Sequence, residues 1–314
     1  MRLRLKFMLC AAMLSAESTL SETTAPFKKS HEYVMVSPEE MMTLNVIERE
    51  KIKARWSAVK NAIHEAGGKV VTIDGRFSTG GQKEVWARDK YLLIGDTAYL
   101  PDDAIARRLE GSYSAEIRQM ESFLQKRGVK TVRVKDAWFE GGDIVQHSKS
   151  NTIFLGYQQG HSGELLEKAI NQTQKDKYTV LPVHLVNAVR KDIAPGRNGS
   201  YLYHLDTGMS EPLAGGEVLL SPDITDPETF GRITAIIGLK NVILLNRQDS
   251  LNYAANIIAI ENTVITPSMS IPLRSRLEAK GYRVLEGKDF GLDQLGFGYG
   301  GPHCNVNLLP PGPN

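Results

Sequence analysis

The segment near the end of the sequence concentrates the residues best able to do covalent chemistry. It reads Gly298-Tyr-Gly-Gly-Pro-His-Cys304-Asn-Val-Asn, with three glycines shortly before the cysteine. Glycines let the backbone approach a bound molecule, and the apolar residues that follow predict that Cys304 begins a short strand. The other cysteine, Cys10, lies in an N-terminal segment of different composition. Cys304 is therefore predicted to be unpaired, either as a nucleophile or as a buried apolar side chain.

A histidine and a carboxylate alternate in a second motif, Tyr201-Leu-Tyr-His204-Leu-Asp206. Alternation is typical of a strand, so His204 and Asp206 are predicted to project from the same face. An imidazole there can move protons, and a carboxylate can bind a cation. The plainer interpretations are a strand histidine with satisfied hydrogen bonds and an aspartate that caps a turn.

Two further motifs carry carboxylates beside glycine or arginine. Trp138-Phe-Glu140-Gly-Gly-Asp143 places two acids around a glycine pair, and Val85-Trp-Ala-Arg88-Asp89 leads into a predicted strand. The first motif can also be a tight turn, and the second a surface ion pair between its last two residues. Taken with one thiol and one histidine, these acids suit a planar, cationic substrate, because paired N–H groups of a guanidinium bind carboxylates.

The chemistry expected of this set is thiolate attack on a guanidinium carbon, followed by hydrolysis to a ureido group. It calls for no metal or other cofactor. The remaining histidines show no metal-ligand spacing with cysteine or acidic residues; they are His31, His64, His147, His161, His184 and His303.

Five repeats of one unit are predicted to position these groups. Each unit has an apolar strand, a stretch with helical periodicity, a break, and a second β-branched strand. The apolar strands before the helices are predicted at Tyr33–Pro38, Thr97–Pro101, Thr152–Leu155, Glu217–Pro222 and Thr263–Pro267. In the second, third and fifth units a further strand is predicted before these, at Tyr91–Ile94, Asp143–Val145 and Asn256–Ile260. Helices are predicted up to His64 in the first unit and at Ser114–Arg127, Gly163–Thr173, Pro227–Ile237 and Pro272–Lys280. The closing strands are predicted at Gly67–Ile73, Val129–Val134, Tyr178–Pro182, Asn241–Leu245 and Tyr282–Leu285.

Five sheet-and-helix units in a closed ring fit this pattern better than a doubly wound sheet. A doubly wound nucleotide-binding fold requires a glycine-rich loop directly after its first strand, whereas Gly67-Gly68 precedes a strand. The sequence after about residue 30 shows no linker or low-complexity tract. We predict one α/β domain over residues 30–314.

The four motifs, in this order and spacing, resemble the guanidine-modifying enzyme (pentein) superfamily. That superfamily comprises arginine, agmatine and peptidyl-arginine deiminases, dimethylarginine dimethylaminohydrolases and amidinotransferases. The resemblance covers nearly the whole chain after the N-terminal segment. It implies a five-bladed α/β propeller of pseudo-repeated ββαβ units.

The resemblance also implies roles for the matching residues. Cys304 would be the nucleophile and His204 its acid/base partner, held by Glu140. Asp89 and Asp206 would anchor the guanidinium. Further substrate contacts are predicted for Asp143, Asn256, Tyr299 and Arg88.

Two residues near the thiol have alternative interpretations. Asn256 resembles an asparagine found near the thiol in several members of the superfamily, and it can equally make a hydrogen bond at the start of a strand. His303 would point to the opposite face of the predicted strand from Cys304, so we interpret it as structural.

The residues disfavour free arginine as the substrate. The superfamily resemblance implies an arginine five residues before the cysteine for binding the substrate carboxylate, and Tyr299 stands there. The segment Tyr157-Gln-Gln-Gly-His161 also lacks arginine. We therefore expect a deiminase acting on peptidyl-arginine or a small arginine derivative. The alternatives are an amidinotransferase, which passes the amidino group to an amine, and a non-catalytic pentein binding module.

The N-terminus and the overall charge bear on localisation and partners. Arg2, Arg4 and Lys6 precede an apolar run, Phe7–Ala16, which predicts a signal peptide over residues 1–16 and a secreted or periplasmic protein. The formal net charge of +2 and the lack of a basic stripe argue against nucleic-acid binding. We expect no membrane contact beyond the signal segment, and the sequence carries no signal of oligomeric state.

Overall fold

The computed structural model describes residues 31–38, 46–75, 85–109, 113–158, 161–175, 177–186, 202–293, 295 and 300–310. The predicted signal segment with Cys10 lies outside these ranges, and so does Tyr299. None of the helices in the described ranges has both the length and the apolar character needed to cross a bilayer. Export and the predicted domain limits stay predictions.

The described residues form short strands and mostly short helices. The strands are β1 Glu32–Ser37, β2 Lys69–Asp74, β3 Leu92–Ile94, β4 Thr97–Leu100, β5 Lys130–Arg133, β6 Ile144–His147, β7 Thr152–Tyr157, β8 Thr179–His184, β9 Val218–Leu220, β10 Val242–Leu244, β11 Ile258–Ile260, β12 Thr263–Ile265, β13 Arg283–Leu285 and β14 Asn307–Leu308. The α-helices are α1 Val46–Glu65, α2 Asp103–Leu109, α3 Tyr113–Lys126, α4 Gly163–Thr173, α5 Leu205–Gly208, α6 Pro227–Ile237, α7 Arg247–Leu251 and α8 Ile271–Ala279. Single 3-10 turns occupy Ala87–Lys90, Gly141–Asp143, Ser148–Ser150, Leu239–Asn241, Gly287–Phe290 and Pro302–Asn305.

Five separate small sheets are built from the described strands, in agreement with the five predicted units. Three of them, β3-β4-β5, β6-β7-β8 and β11-β12-β13, pair their first two strands antiparallel and their last two parallel. The fourth sheet keeps the parallel pair β9-β10, and a single antiparallel bridge between Met209 and Leu220 stands in place of its first strand. No sheet formed by the described strands closes on itself.

The remaining sheet joins the two ends of the described chain. Strand β1 pairs parallel with β2 and antiparallel with β14, so Tyr33 lies opposite Leu308. The first unit is therefore completed by a strand that follows Cys304 directly. This pairing fixes the thiol-bearing segment to the beginning of the chain.

Local signals explain why the helices begin and end where they do. In α6, the side chain of Asp226 accepts hydrogen bonds from the first turn, Pro227 occupies the first helical position, and Gly238 ends the helix at φ +82°. The five predicted helices are confirmed to within a few residues. Helices α2 and α7 were not predicted, because each is too short to show a clear period.

The helices pack their apolar faces against the sheets. Ile117, Met120 and Leu124 of α3 are fully or almost fully buried and lie in one cluster with Ala98 and Leu100 of β4. Residues three and four apart share one side of a helix, so this spacing directs the apolar stripe inward. The polar residues of the candidate site are left to the short turns between these units.

Candidate active site

Four short helical turns carry or directly follow most of the candidate residues, and these turns contact one another. The turn at Ala87–Lys90 touches those at Gly141–Asp143 and Pro302–Asn305, and helix α5 touches the turn at Gly141–Asp143. Three of the turns precede the first strand of a unit, namely β3, β6 and β14. The pseudo-repeat thus brings equivalent chain positions from different units together.

His204 is paired with Glu140. Nε2–H of His204 donates to Oε2 of Glu140 over 2.7 Å, and the imidazole is buried. Burial lowers the pKa of His204, but the hydrogen bond to Glu140 and the charge of Asp143 outweigh it and raise the pKa to about 10. The imidazole is therefore a cation at neutral pH, positioned to act as an acid.

The predicted strand around His204 and Asp206 is wrong. His204 has extended backbone and caps the one-turn helix α5, which contains Asp206. The two side chains are therefore not related by strand alternation. They share one buried polar cluster because α5 packs on the turn Gly141–Asp143.

Gly142 permits the close approach of His204. A Cβ atom at Gly142 would lie 2.5 Å from Nδ1 and 2.9 Å from Cβ of His204, closer than real Cβ contacts. The glycine pair was expected to shape a turn, and it does so through a reciprocal cap between Glu140 and Asp143. Its second glycine also leaves room for the imidazole.

Asp206 is a buried carboxylate in which one oxygen accepts a hydrogen bond and the other has no partner among the described residues. Its Oδ2 accepts a hydrogen bond from Nδ1–H of His303 over 2.9 Å. Its Oδ1 is buried without a hydrogen-bond partner among the described residues. Burial acts to raise the pKa of Asp206, but the hydrogen bond from His303 and the charge of Arg88 hold it below its usual value. Asp206 is thus an anion with a free acceptor.

His303 was interpreted as structural because a strand would turn it to the opposite face from Cys304, and that strand geometry is wrong. The turn Pro302–Asn305 is a 3-10 turn, so neighbouring side chains do not alternate between two faces. His303 therefore reaches the carboxylate of Asp206. No sequence spacing links these residues, which are 97 positions apart.

Arg88 is a buried structural side chain in this site. Its Nη2–H donates to the Ile144 carbonyl over 2.9 Å, and its Nε lies 3.6 Å from Oδ2 of Asp206. It is neither exposed nor an ion-pair partner at the surface, as one interpretation of the sequence held. Its described contacts support Asp206, and the substrate contact predicted for it stays a prediction.

Cys304 lies within the 3-10 turn and not at the start of a strand, which corrects the sequence prediction. The thiol is free and buried. Oδ1 of Asn256 lies 3.5 Å from its Sγ and accepts from its backbone N–H over 3.4 Å. Nδ2–H of Asn256 donates to the Asp206 carbonyl over 3.4 Å. Asn256 therefore links the thiol segment to the carboxylate segment, and Gly301 packs against its Oδ1, where a Cβ would approach to 2.6 Å.

Burial and the charges around Cys304 keep its proton in place. Burial raises the pKa of the thiol well above its ordinary value, and the carboxylates of Asp206 and Asp89 raise it further. For Asp89, burial and the charge of Glu140 raise the pKa to about 7. The site thus holds more negative charge than it can easily keep buried, which favours a cationic ligand.

His161 is the residue that the sequence did not single out as part of the site. Its Nδ1–H donates to Oδ2 of Asp143, and its ring centre lies 5.9 Å from that of His204. Asp143 also accepts a hydrogen bond from Gln158 over 2.8 Å. His161 lines an open cavity of ≈ 570 Å³ together with Tyr157, Glu164 and His184. It therefore stands between the buried cluster and open space.

Glu140, His161 and His204 form a potential ligand set. One ligand atom from each lies within 4.8 Å of the others. Spacing along the sequence showed no such cluster, because the residues come from three separate elements. Tyr299, predicted to contact the substrate, lies outside the described residues.

Comparison with solved structures places the fold. The chain superposes with a TM-score of 0.70 on the N-terminal domain of ArgZ, an arginine dihydrolase of cyanobacteria, over 88% of this chain and 96% of that domain, at 19% identity. It also superposes on a dimethylarginine dimethylaminohydrolase with a TM-score of 0.65, over 90% of this chain and all of that one, at 18% identity. The chain has the fold of the pentein superfamily.

Sequence comparison of the chain agrees with the structural comparison. It is 26% identical over 266 residues to an uncharacterized Caenorhabditis elegans protein, ZK1307.1, covering 84% of this chain and 85% of the worm protein. It is 26% identical over 204 residues to the bifunctional arginine dihydrolase/ornithine cyclodeaminase AgrE of Nostoc, covering 64% of this chain and 26% of AgrE. No family model matches the chain. The predicted resemblance to the guanidine-modifying superfamily is confirmed by these structural neighbours.

Proposed function

We propose that this pentein protein is a cysteine-dependent guanidine hydrolase that converts a guanidino group to a ureido group. The observation that carries the proposal is the arrangement around Cys304. A buried free thiol shares one electrostatic cluster with two buried carboxylates, Asp206 and Asp89, and these lie beside the His204–Glu140 pair. The fold's similarity to an arginine dihydrolase and a dimethylarginine dimethylaminohydrolase supports this chemistry.

The carboxylates would bind the substrate's guanidinium. Oδ1 of Asp206 is a buried acceptor with its geometry fixed by His303, and Asp89 adds a second carboxylate. Two carboxylates that accept paired N–H groups fix the plane of a guanidinium. The bound cation neutralises the charges that raise the thiol pKa, so its arrival promotes thiolate formation.

In the first step, Sγ of Cys304 bonds to the central guanidinium carbon and the bond from that carbon to one nitrogen breaks. The thiol proton passes to solvent as the thiolate forms, and His204 gives its own proton to the departing nitrogen. Ammonia or an amine leaves, a cationic thiouronium remains, and the imidazole is neutral. Glu140 stabilises the protonated imidazole and holds its ring in place.

In the second step, water replaces the sulfur. His204, deprotonated as the leaving group departs, takes a proton from the attacking water, and the C–S bond breaks. The thiol recovers its proton, the product carries a ureido group, and one proton passes to the released ammonia. Water supplies the new oxygen, so no redox partner is required.

The substrate class follows from what lies near the site. A peptidyl-arginine or a small arginine derivative remains our first proposal, with the part of the substrate beyond the guanidinium extending towards the open cavity beside His161. Free arginine is a second candidate, favoured by the structural neighbours, since AgrE has been crystallised with L-arginine. The segment Tyr157–His161 holds no arginine that could bind the carboxylate of free arginine, which favours peptidyl-arginine or a small arginine derivative.

A colorimetric assay for ureido product tests the function. Free arginine, agmatine, methylated arginine and an arginine-containing peptide are supplied in parallel to the wild-type protein and to Cys304→Ser. We expect product from at least one substrate with the wild type and none with Cys304→Ser. Full ureido production by Cys304→Ser would exclude the covalent mechanism.

The alternative functions give different results in the same assay. An amidinotransferase would form no ureido product, and it would release the amine of the donor only when an acceptor amine such as glycine or lysine is added. A binding module would bind guanidino compounds without turnover. We further propose that the five units close into a five-bladed propeller. We also propose that residues 1–16 direct export, and N-terminal sequencing of the protein from its native source would test this second proposal.

A further inference from the structure

A buried ion pair lies beside the turn that carries Asp89. Lys90 ends this turn, and its ammonium donates to Oε2 of Glu116, in the first turn of helix α3, where the helix dipole favours a carboxylate. Lys90 is 1% exposed and Glu116 is 8% exposed. Apolar side chains such as Val36 and Met120 border the pair, around a gap of only ≈ 10 Å³. This gap shares no lining residue with the open cavity proposed for the substrate, so the pair belongs to the support of the site.

Stability alone does not account for two buried charges in apolar surroundings. Moving an ion pair out of water costs about as much as the attraction of its charges returns, and well-packed apolar side chains usually serve a fold equally well. The pair does have a geometric effect, because it fastens the turn Ala87–Lys90 to α3. That turn carries Asp89, the residue directly before Lys90. The pair therefore acts where one of the two proposed guanidinium anchors is held.

The carboxyl group of Asp89 lies among charges of both signs. Burial and the carboxylates of Glu140 and Asp206 raise its pKa, whereas the cations of His204 and Lys90 lower it. His204 gives up its proton in the proposed reaction, but Lys90 takes no part in proton transfer and keeps its charge throughout. The turn itself also holds Arg88, and the elements packed against it bring further ionisable groups, namely Glu116, Asp143, His303 and Cys304.

We propose that Lys90, with its ammonium held by Glu116, is a positioning residue for the hydrolase reaction that keeps the carboxylate of Asp89 charged and its turn in place for the guanidinium. Lys90 acts through Asp89 and needs no contact with the substrate. The effect on activity rests on the proposed function, whereas the effect on the ionisation of Asp89 does not. The ionisation of Asp89 is accordingly measured first.

Carboxyl-carbon NMR of the full chain, labelled with carbon-13 at its aspartate side chains, reports the titration of Asp89 from about pH 5 to about pH 9. Asp89→Asn identifies the signal. Lys90→Met removes the cation and Lys90→Arg keeps it. The double variant Lys90→Met/Glu116→Met removes both charges and leaves no buried carboxylate without its partner, so it keeps the test open if the single variant does not fold. Lys280→Met is the control, since the ammonium of Lys280 pairs with Glu217 over 2.9 Å outside the candidate site.

We expect the pKa of Asp89 to rise by about one unit in Lys90→Met and in the double variant, because a carboxyl group that loses a nearby cation ionises less readily. Lys90→Arg and Lys280→Met should leave the pKa unchanged. Since the pKa in the wild type lies at about 7, a rise of that size lowers kcat/KM for ureido formation about 5-fold at pH 7 and hardly at all at pH 9. A merely structural pair would instead lower kcat/KM by the same factor at both pH values.

An unchanged or unobserved titration of Asp89 in the folded double variant would overturn the proposal. A loss of kcat/KM that is equal at pH 7 and pH 9, or no loss despite a shifted titration, would also overturn it. Absence of ureido product in the wild type would refute the proposed function, and the titration of Asp89 would still decide whether Lys90 controls its charge.

Discussion

At the scale of single residues, the site depends on how each carboxylate is held. Asp206 has one oxygen bonded by His303 and the other buried and open, whereas Asp89 has its pKa raised to about 7 by burial and by Glu140. The two acids therefore differ in charge near neutral pH. The first is ionised throughout the physiological range, and the second gains its charge within it.

His303→Leu should lower kcat/KM. Removing a hydrogen bond to a buried carboxylate costs about 1.5–3 kcal/mol, so kcat/KM should fall about 10- to 100-fold. His303→Asn, whose amide can replace the Nδ1–H donor, should recover most of the loss. Loss of the donor also raises the pKa of Asp206, so in the leucine variant alone kcat/KM should fall more steeply with decreasing pH below the limb that Asp89 sets at about 7. Equal profiles in both variants would contradict this role.

The ionisation of Asp89 should determine how kcat/KM falls at acidic pH. Because its pKa lies at about 7, Asp89 is protonated and neutral below that pH and cannot pair with a guanidinium. We expect kcat/KM to fall as the pH decreases through 7. A profile measured with a substrate whose guanidinium stays charged throughout isolates this group, and a flat profile down to pH 5 would count against it.

Asp89→Asn should abolish activity and stabilise the folded protein. A carboxyl group with a raised pKa in the folded state adds stability below its unfolded pKa of about 4, and that stability is lost as the pH rises through 7. At pH 8 the buried charge therefore destabilises the fold. Removing it should raise the free energy of unfolding on the order of 2 kcal/mol at pH 8 and less at pH 5, while ureido formation is lost. Denaturant titrations at the two pH values measure this, and a loss of stability at pH 8 would refute it.

At the scale of the elements, short turns position the reacting groups and the regular elements hold the turns. The turn Gly141–Asp143 carries Asp143, is capped by Glu140, and packs on the helix that begins after His204. Such a turn tolerates little added volume. Its contribution to the site is the close packing that keeps the imidazole against Glu140.

Gly142→Ala should displace His204. The added methyl group would lie 2.5 Å from Nδ1, so the ring must shift away from Glu140. A displacement of about 1 Å at a catalytic group can cost on the order of 100-fold in rate, and we expect a loss of that size in kcat. Gly231→Ala, on helix α6 with open space around it, is the control and should keep full activity. A wild-type kcat in Gly142→Ala would exclude this steric role.

The sequence predicts the regular elements better than the turns. Apolar periodicity places α3, and Asp226, Pro227 and Gly238 bound α6, because these signals are local. The turns at Leu205–Gly208 and Pro302–Asn305 are too short to show a period. The strand predicted around His204 was therefore wrong, and the strand predicted to begin at Cys304 begins only at Asn307. The contacts of His161 and His303 depend on residues 18 and 97 positions away and have no local signal.

At the scale of the whole molecule, the two ends of the described chain meet at the site. Strand β14 pairs with β1, and Asn307 in β14 is buried. Its Nδ2 donates to the carbonyls of Tyr91 at 2.7 Å and Arg88 at 3.2 Å. The segment that carries Cys304 is thereby fixed to the turn that carries Asp89.

Asn307→Leu should destabilise the fold, because it leaves buried carbonyls without a donor. We expect a loss of about 3 kcal/mol in the free energy of unfolding, together with reduced kcat/KM. Asn241→Leu is the matched control: its amide donates to a single carbonyl at the end of α6, and a loss of about 1 kcal/mol is expected. Equal losses in the two variants would show that Asn307 does not join the two turns.

The most direct test of the proposed chemistry compares two alkylating agents of nearly equal size, 2-chloroacetamidine and 2-chloroacetamide. The cationic amidine resembles a guanidinium, so Asp206 and Asp89 should draw it to Cys304. Relative to the same two rates with glutathione, we expect the wild-type thiol to react at least about 10-fold faster with the amidine, and Asp206→Asn to lose that preference. Peptide mapping should place the label on Cys304. An amidine preference no greater than that of glutathione would contradict a guanidinium site at this thiol.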